Sequence, residues 1–214
     1  MGLIKKKNYK ILNKKTVYIS KEAVIGNNVV IYGNNRIEGN TVIGDNSVIK
    51  PSCYIVDSVI GDNCEISCSH LEKAVVKDNC NVGPFARLRP NAVIMDNAKI
   101  GNFVEVKNAV IGKNTKVSHL AYVGDAEIGE GCNIGCGVIF VNYNGKIKQK
   151  TFVGDNCFIG SNCNVIAPVK INSDSYICAG TTITDDVNTD DFVIGRVRQQ
   201  VKHNLAHKYL KSKK

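Results

Sequence analysis

Val153-Gly154-Asp155-Asn156-Cys157-Phe158-Ile159-Gly160-Ser161-Asn162-Cys163-Asn164-Val165 repeats itself after six residues, and the same spacing continues through Ile171, Ile177 and Ile183. Working back along the chain, Val76, Val82, Leu88, Ile94, Ile100 and Val106 keep the same step. It then slips once by five and resumes at Ile111, Val117 and Val123. Ile43-Ile49-Ile55 and Ile128-Ile134 are shorter ladders of the same kind. Glycine often follows the anchor, as at Gly26, Gly44, Gly61, Gly83, Gly101, Gly112, Gly129, Gly154 and Gly160. Three residues after the anchor stands one that tolerates a left-handed backbone: Asn28, Asn46, Asn63, Asn79, Asn114, Gly131, Asn156 or Asn162. A period of six is neither helical nor that of an alternating strand. It is the period of a hexapeptide β-helix, in which three repeats close one triangular coil and anchors stack on anchors.

The repeats run from about Ile25 to Ile183, or roughly nine coils. A solenoid of this kind is one quasi-linear unit with capped ends. The expected division is a lead-in segment and cap over 1–18, an all-β solenoid over 19–189 and a short basic C-terminal arm or helix over 190–214. Of the nine cysteines, Cys53, Cys64, Cys80, Cys132, Cys157 and Cys163 fall four residues after an anchor, where the repeat wants a small buried side chain. The chain has neither a CxxC pair nor zinc-type spacing. The thiols read as core residues of a protein in a reducing cytoplasm. His203 and His207, four apart in an expected C-terminal helix, lack a third ligand, so no metal is implied.

The net charge of +9 gathers at the two ends, around Lys5, Lys6 and Lys7 and around Arg196, Arg198, Lys211 and Lys214. No aromatic-interleaved basic stripe accompanies it, which argues against nucleic acid. Solvated tails or anionic small molecules account for the charge. No apolar run reaches the length of a membrane-spanning helix.

Where a regular solenoid is interrupted, function is expected. The main interruption is the polar loop Val141-Asn142-Tyr143-Asn144-Gly145-Lys146-Ile147-Lys148-Gln149-Lys150. Arg89 and Lys107 each follow an anchor directly and lie three repeats apart, so they occupy equivalent places on adjacent coils. The slip by five then brings Gly124 to the next such place and ends the stack at two. Cations stacked about 4.8 Å apart repel unless an anion bridges them or they splay into solvent. His119 lies two residues after an anchor, close to these features, and a neutral imidazole is a workable general base.

Gly83-Pro84-Phe85-Ala86-Arg87-Leu88-Arg89-Pro90, Gly101-Asn102-Phe103-Val104-Glu105-Val106-Lys107-Asn108, His119-Leu120-Ala121-Tyr122-Val123-Gly124-Asp125 and Asn142-Tyr143-Asn144-Gly145 are similar, in order, to segments of one family. The chain resembles the acetyltransferase half of the bacterial bifunctional N-acetylglucosamine-1-phosphate uridyltransferase/glucosamine-1-phosphate acetyltransferase, over about Ile25 to Arg196. The resemblance implies a left-handed parallel β-helix, a homotrimer, acetyl-CoA as co-substrate and glucosamine 1-phosphate as acceptor. Position by position it implies His119 as base, Arg89 and Lys107 on the sugar phosphate, and Tyr122 and Asn133 on the sugar. It puts Asn142 and Tyr143 beside the thioester, with Asn142 or backbone donors on the oxyanion. Lys148 would reach the sugar from a neighbouring chain, and Cys136, Ser161, Ala179 and Arg196 would line the coenzyme A groove.

Three departures stand out: Cys136 replaces a usual alanine, Asn144 a usual aspartate and Arg198 a usual proline. The family's glycine-rich nucleotide loop has no counterpart in the 214 residues. The chain therefore resembles an acetyltransferase half standing alone, and both a separate uridyltransferase and a longer parent chain are compatible with its sequence. A hexapeptide acyltransferase for another amino sugar and an inactive scaffold are the alternative readings.

Overall fold

Each hexad supplies one short strand, and burial of its anchor decides how that strand faces. A computed structural model describes residues 8–210. Within them, short parallel strands wind into stacked triangular coils, the expected left-handed parallel β-helix. Anchors stack in three columns. Ile31, Ile49, Ile66, Val82, Ile100 and Val117 are in register on the first face. Ile37, Ile55, Leu71, Leu88, Val106 and Val123 follow one another on the second. Ile43, Ile60, Val76, Ile94, Ile111 and Ile128 do so on the third. These side chains are at most 2% exposed, and together they make one continuous core. Burying an aliphatic side chain this fully is worth about 1.5–3 kcal/mol, once per strand.

The corners obey the predicted backbone chemistry. Asn28, Asn46, Asn63, Asn79, Asn114, Asn156 and Asn162 all have φ between 56° and 59°, and Gly131 has φ 68°. Gly101 is needed for another reason: a Cβ there would run into the Ser118 carbonyl of the next coil. The cysteines fill the corner position assigned to them. Cys64, Cys80, Cys132 and Cys157 are at most 1% exposed. Their thiols donate to carbonyls of the following coil, Cys80 Sγ to Met95 O at 3.0 Å and Cys132 Sγ to Gly154 O at 3.0 Å. The Ser47 and Thr115 hydroxyls, in the same column, donate to Gly61 O at 2.8 Å and Gly129 O at 2.7 Å. A thiol here stands in for a hydroxyl. All nine cysteines are free.

Three readings need amendment. The ladder Ile128-Ile134 continues into Phe140, a fully buried aromatic anchor that a search for aliphatic residues passes over. Lys10–Ile11 pairs with Val30–Ile31, and Phe192–Val193 pairs with Tyr176–Ile177. Strand pairing therefore enters the segment expected as a cap and passes residue 189. The expected helix around His203 and His207 is absent. Asn204 has φ 55°, a left-handed backbone that interrupts a right-handed helix, and only Ala206–Lys208 forms a 3-10 turn. The basic runs at residues 1–7 and 211–214 lie outside the described residues. No helix among the described residues is long and apolar enough to cross a membrane.

Two strands are exceptional. Lys99–Lys107 and Lys116–Gly124, nine residues each, run unbroken round the edge between the first and second faces. They weld those faces into one 19-stranded sheet, while the third face forms a separate nine-stranded sheet.

Ile94→Ala should lower stability by about 2–5 kcal/mol, because the site is fully buried between stacked neighbours. Cys80→Ser, which restores the hydroxyl of its column, should cost less than about 1.5 kcal/mol. Urea unfolding of both variants checks this; equal losses would refute the column reading.

Candidate active site

The two long strands carry the candidate residues along both margins of the second face. At the margin shared with the first face, Asn102 pairs in register with His119. His119 Nδ1 lies 2.9 Å from Asn102 Oδ1. An amide oxygen only accepts, so the imidazole hydrogen sits on Nδ1 and Nε2 keeps a free lone pair. His119 is exposed, so that lone pair is open to an incoming ligand. The imidazole is therefore oriented by one hydrogen bond to the coil below.

The same margin continues upward as a row of small exposed residues. Asn162 N donates to Cys136 O at 2.8 Å and Gly180 N to Ser161 O at 2.8 Å, so Cys136, Ser161 and Ala179 occupy successive coils. A Cβ at Gly160 would strike Ala179, and one at Gly180 would touch the Arg196 side chain. His119, Cys136, Ser161, Ala179 and Arg196 thus line one edge. Asn133 stands exposed on the first face beside this edge.

The opposite margin holds the charges. Leu88 pairs with Val106, which stacks Arg89 on Lys107, and Lys107 pairs with Gly124. The cations neither splay nor wait bare: Arg89 Nη1 lies 2.9 Å from Glu105 Oε1, and Lys107 Nζ lies 4.0 Å from Asp125 Oδ2. Lys148 also belongs here. Contact with the Lys148 ammonium, reinforced by burial, holds Lys107 below the ordinary lysine range, against the pull of Asp125. Lys148, expected to arrive from a neighbouring chain, is therefore close enough to act on Lys107 of its own chain, and it lines the same cavity as Asp125. A Cβ on Gly124 would collide with the Tyr122 ring, so the missing side chain is what lets Tyr122 lie toward the cations. Three cations face two carboxylates, and an added anion would find unmatched positive charge.

The loop is a hairpin closed by an antiparallel bridge from Tyr143 to Lys148. Asn144 Oδ1 accepts from the Lys146 and Ile147 backbone N–H groups, 3.0 Å each, work an aspartate could do equally, so this departure preserves the turn. Tyr143 is exposed, and its hydroxyl donates to Gly145 O at 2.8 Å. Asn142 is buried, and its side-chain amide donates to Asp125. Asn142 and Tyr143 therefore sit on the charged margin, across the second face from Ser161 and Ala179. From His119 to Gly124 is five residues of strand, at most about 17 Å.

The residues missed in the sequence are Asn102, Glu105, Asn108 and Asp125. All lie inside the quoted motifs. The step that stacked Arg89 on Lys107, carried through the slip by five, also puts Asn102 under His119 and Asn108 under Asp125.

With this geometry in place, comparison with known proteins is decisive. The model of the GlmU-like, C-terminal hexapeptide matches residues 49–133, and that of the bacterial transferase hexapeptide (six repeats) matches residues 22–57 and 150–185. The chain belongs to the GlmU-like C-terminal hexapeptide family. It is 52% identical over 193 residues to the Bifunctional protein GlmU of Caldicellulosiruptor saccharolyticus, covering 90% of this chain and 42% of that one. The Bifunctional protein GlmU of Clostridioides difficile is 46% identical over 198 residues, covering 92% of this chain and 43% of the relative. The chain thus spans less than half the length of these relatives. Among solved structures, LpxA, a UDP-N-acetylglucosamine acyltransferase from Bacteroides fragilis, superposes with a TM-score of 0.54 at 22% identity. That match covers 83% of this chain and 69% of the other, a likeness of fold.

Of the nine thiols, Cys136 is the exposed one. Iodoacetamide should therefore modify Cys136 well before the buried cysteines in the native protein, as read by peptide mass spectrometry. Labelling spread evenly over Cys80, Cys132 and Cys136 would contradict the placement.

Proposed function

We propose that this chain transfers the acetyl group of acetyl-CoA to the amine of glucosamine 1-phosphate, a step in UDP-N-acetylglucosamine biosynthesis in the cytoplasm. One observation carries the reading: an oriented histidine and a pair of stacked cations occupy opposite margins of one face, with Tyr122 between them. Relatives of the GlmU type at 46–52% identity support it.

On this reading the phosphate draws Arg89 and Lys107 from Glu105 and Asp125 inward over Tyr122, because the amine is on the ring carbon next to the phosphate and both must be reached together. The amine then points to the His119 margin, where Nε2 removes its proton. The neutral nitrogen attacks the thioester carbonyl, the C–S bond breaks, and coenzyme A leaves as the thiolate, which takes the nitrogen's second proton to leave the amide and the free thiol. The row Cys136, Ser161, Ala179 and Arg196 lies along the margin where the carrier would run, and its small members leave the edge unobstructed. Backbone N–H groups near His119 would stabilise the oxyanion, since the Asn142 amide is engaged by Asp125 at the other margin. The amine is nucleophilic once neutral, so no covalent intermediate on the protein is required.

The assembly is a homotrimer on this reading. Phe85 and Phe103 stack with ring centroids 5.5 Å apart, and both are 57% exposed, as is Leu120 in the next coil. All three hold left-handed backbones, φ 58°, 58° and 37°, a strained geometry for bulky residues. This apolar ridge beside His119 is a surface that a second chain would cover. Native mass spectrometry should give three chain masses; a monomer at micromolar concentration would refute the assembly.

His119→Ala should lower turnover by about 100-fold or more with the fold intact. Arg89→Ala or Lys107→Ala should raise KM for glucosamine 1-phosphate by about ten- to a hundredfold, the loss of one charge-assisted contact of roughly 1.5–3 kcal/mol. Thiol release from acetyl-CoA measures all three. Equal use of glucosamine and its 1-phosphate by the parent would overturn the phosphate reading, and full activity of His119→Ala would remove the base.

A further inference from the structure

Asp125 occupies a corner where the fold alone would be content with another residue. Its φ is 47°, and asparagine is the commonest residue at the left-handed corners of this solenoid, including Asn108 directly beneath it at φ 46°. An aspartate here is not chosen for its backbone. Its side chain is 11% exposed, and both oxygens are engaged. Oδ1 accepts from Asn108 Nδ2 at 2.6 Å, Oδ2 accepts from Asn142 Nδ2, and Lys107 Nζ lies 4.0 Å away. Burial alone would push the carboxyl up, but the hydrogen bonds from Asn108 and Asn142 and the Lys107 and Lys148 charges outweigh it and keep it ionised. Asparagine could not replace it, because an amide has one acceptor atom where this site uses two.

The backbone of Asp125 completes the pattern. Its N–H donates to Lys107 O at 3.0 Å, and its C=O accepts from Thr151 N at 3.1 Å. Asn142 is the root of the ejected loop and Thr151 the residue at which the chain rejoins the solenoid. A single residue thus fastens both ends of the hairpin, and its carboxylate lies among the cations that carry the anion site. A cavity of about 310 Å³ opens beside it, lined by Asn91, Asn108, Asp125, Lys148 and Lys150.

We propose that Asp125 is the positioning residue of the site, holding the loop from Asn142 to Lys150 and the Lys107–Lys148 pair in the arrangement that receives the sugar phosphate. The loop arm of this assignment stands on geometry alone, and the phosphate arm rests on the function proposed above. The alternative is that Asp125 is a plain counter-charge, and the two make opposite predictions for binding. Removing a counter-charge from an anion site strengthens anion binding. Removing a positioning group weakens it.

Asp125→Asn is the test, since asparagine tolerates the backbone and nearly matches the volume. In the loop arm, trypsin should cut after Lys146, Lys148 or Lys150 at least about tenfold faster in the variant than in the parent, with an unchanged circular-dichroism spectrum. In the phosphate arm, KM for glucosamine 1-phosphate should rise at least about tenfold, while KM for acetyl-CoA changes less than about twofold. Asp125→Glu, which keeps two acceptor oxygens, should recover part of both effects. Unchanged cleavage would overturn the clamp, and a lower KM would establish the counter-charge in its place. Should the parent show no turnover at all, the proposed function fails while the cleavage arm still decides the clamp. A variant that misfolds would show cleavage throughout the solenoid rather than in the loop, and Asp125→Glu then carries the test.

Discussion

Stacking of buried anchors on buried anchors is the constraint from which the rest follows. A coil closes only if three apolar side chains point inward at intervals of six. It binds the next coil only if those side chains fall in register, as Leu88 does on Val106 and Ile94 on Ile111. Once the core is stacked, every outward position is stacked too. Exposed residues inherit columns they did not themselves stabilise, and so Arg89 comes over Lys107, and Asn102 over His119. Neighbouring strands lie about 4.8 Å apart, a spacing short enough for side-chain hydrogen bonds between coils.

Function enters where that order is disturbed without being lost. The slip by five after Val106 is absorbed at the Asn108 corner, and the anchors stay paired across it. Its consequence is on the outside. Gly124 rather than a third long side chain meets Lys107, Tyr122 folds into the vacated space, and Asp125 comes up beside the cations. One coil later, the chain leaves the solenoid after Val141 as the Asn142 hairpin and returns at Thr151–Val153, again in register with Ala126–Ile128. The core is indifferent to both irregularities, which frees them for binding.

The fold was legible because it is written in a period, and a period survives local noise. The anchors, the left-handed asparagines and the buried cysteines all sit where spacing put them. Phe140 escaped because an anchor need only be apolar and large, and a search for aliphatic residues is narrower than the physics. The C-terminal helix failed because His203 and His207 were read at helical spacing while Asn204 between them takes a left-handed turn. In the site, spacing alone found the Arg89–Lys107 stack. It did not find the carboxylates that hold those cations, because Glu105 and Asp125 reach them across coils, a direction no linear pattern displays. Lys148 lies at the end of an irregular loop, and its meeting with Lys107 depends on how that loop folds back.

The proposed chemistry requires the vicinal phosphate and amine of one substrate, seated over Tyr122 on the second face, to meet the Arg89–Lys107 pair and His119 at once. A structure determined with glucosamine 1-phosphate bound tests this directly. The expected result has phosphate oxygens within about 3.2 Å of the Arg89 and Lys107 side-chain nitrogens, with the amine directed at His119 Nε2. A sugar phosphate seated elsewhere on the solenoid, with Arg89 still paired to Glu105 and His119 facing solvent, would contradict it.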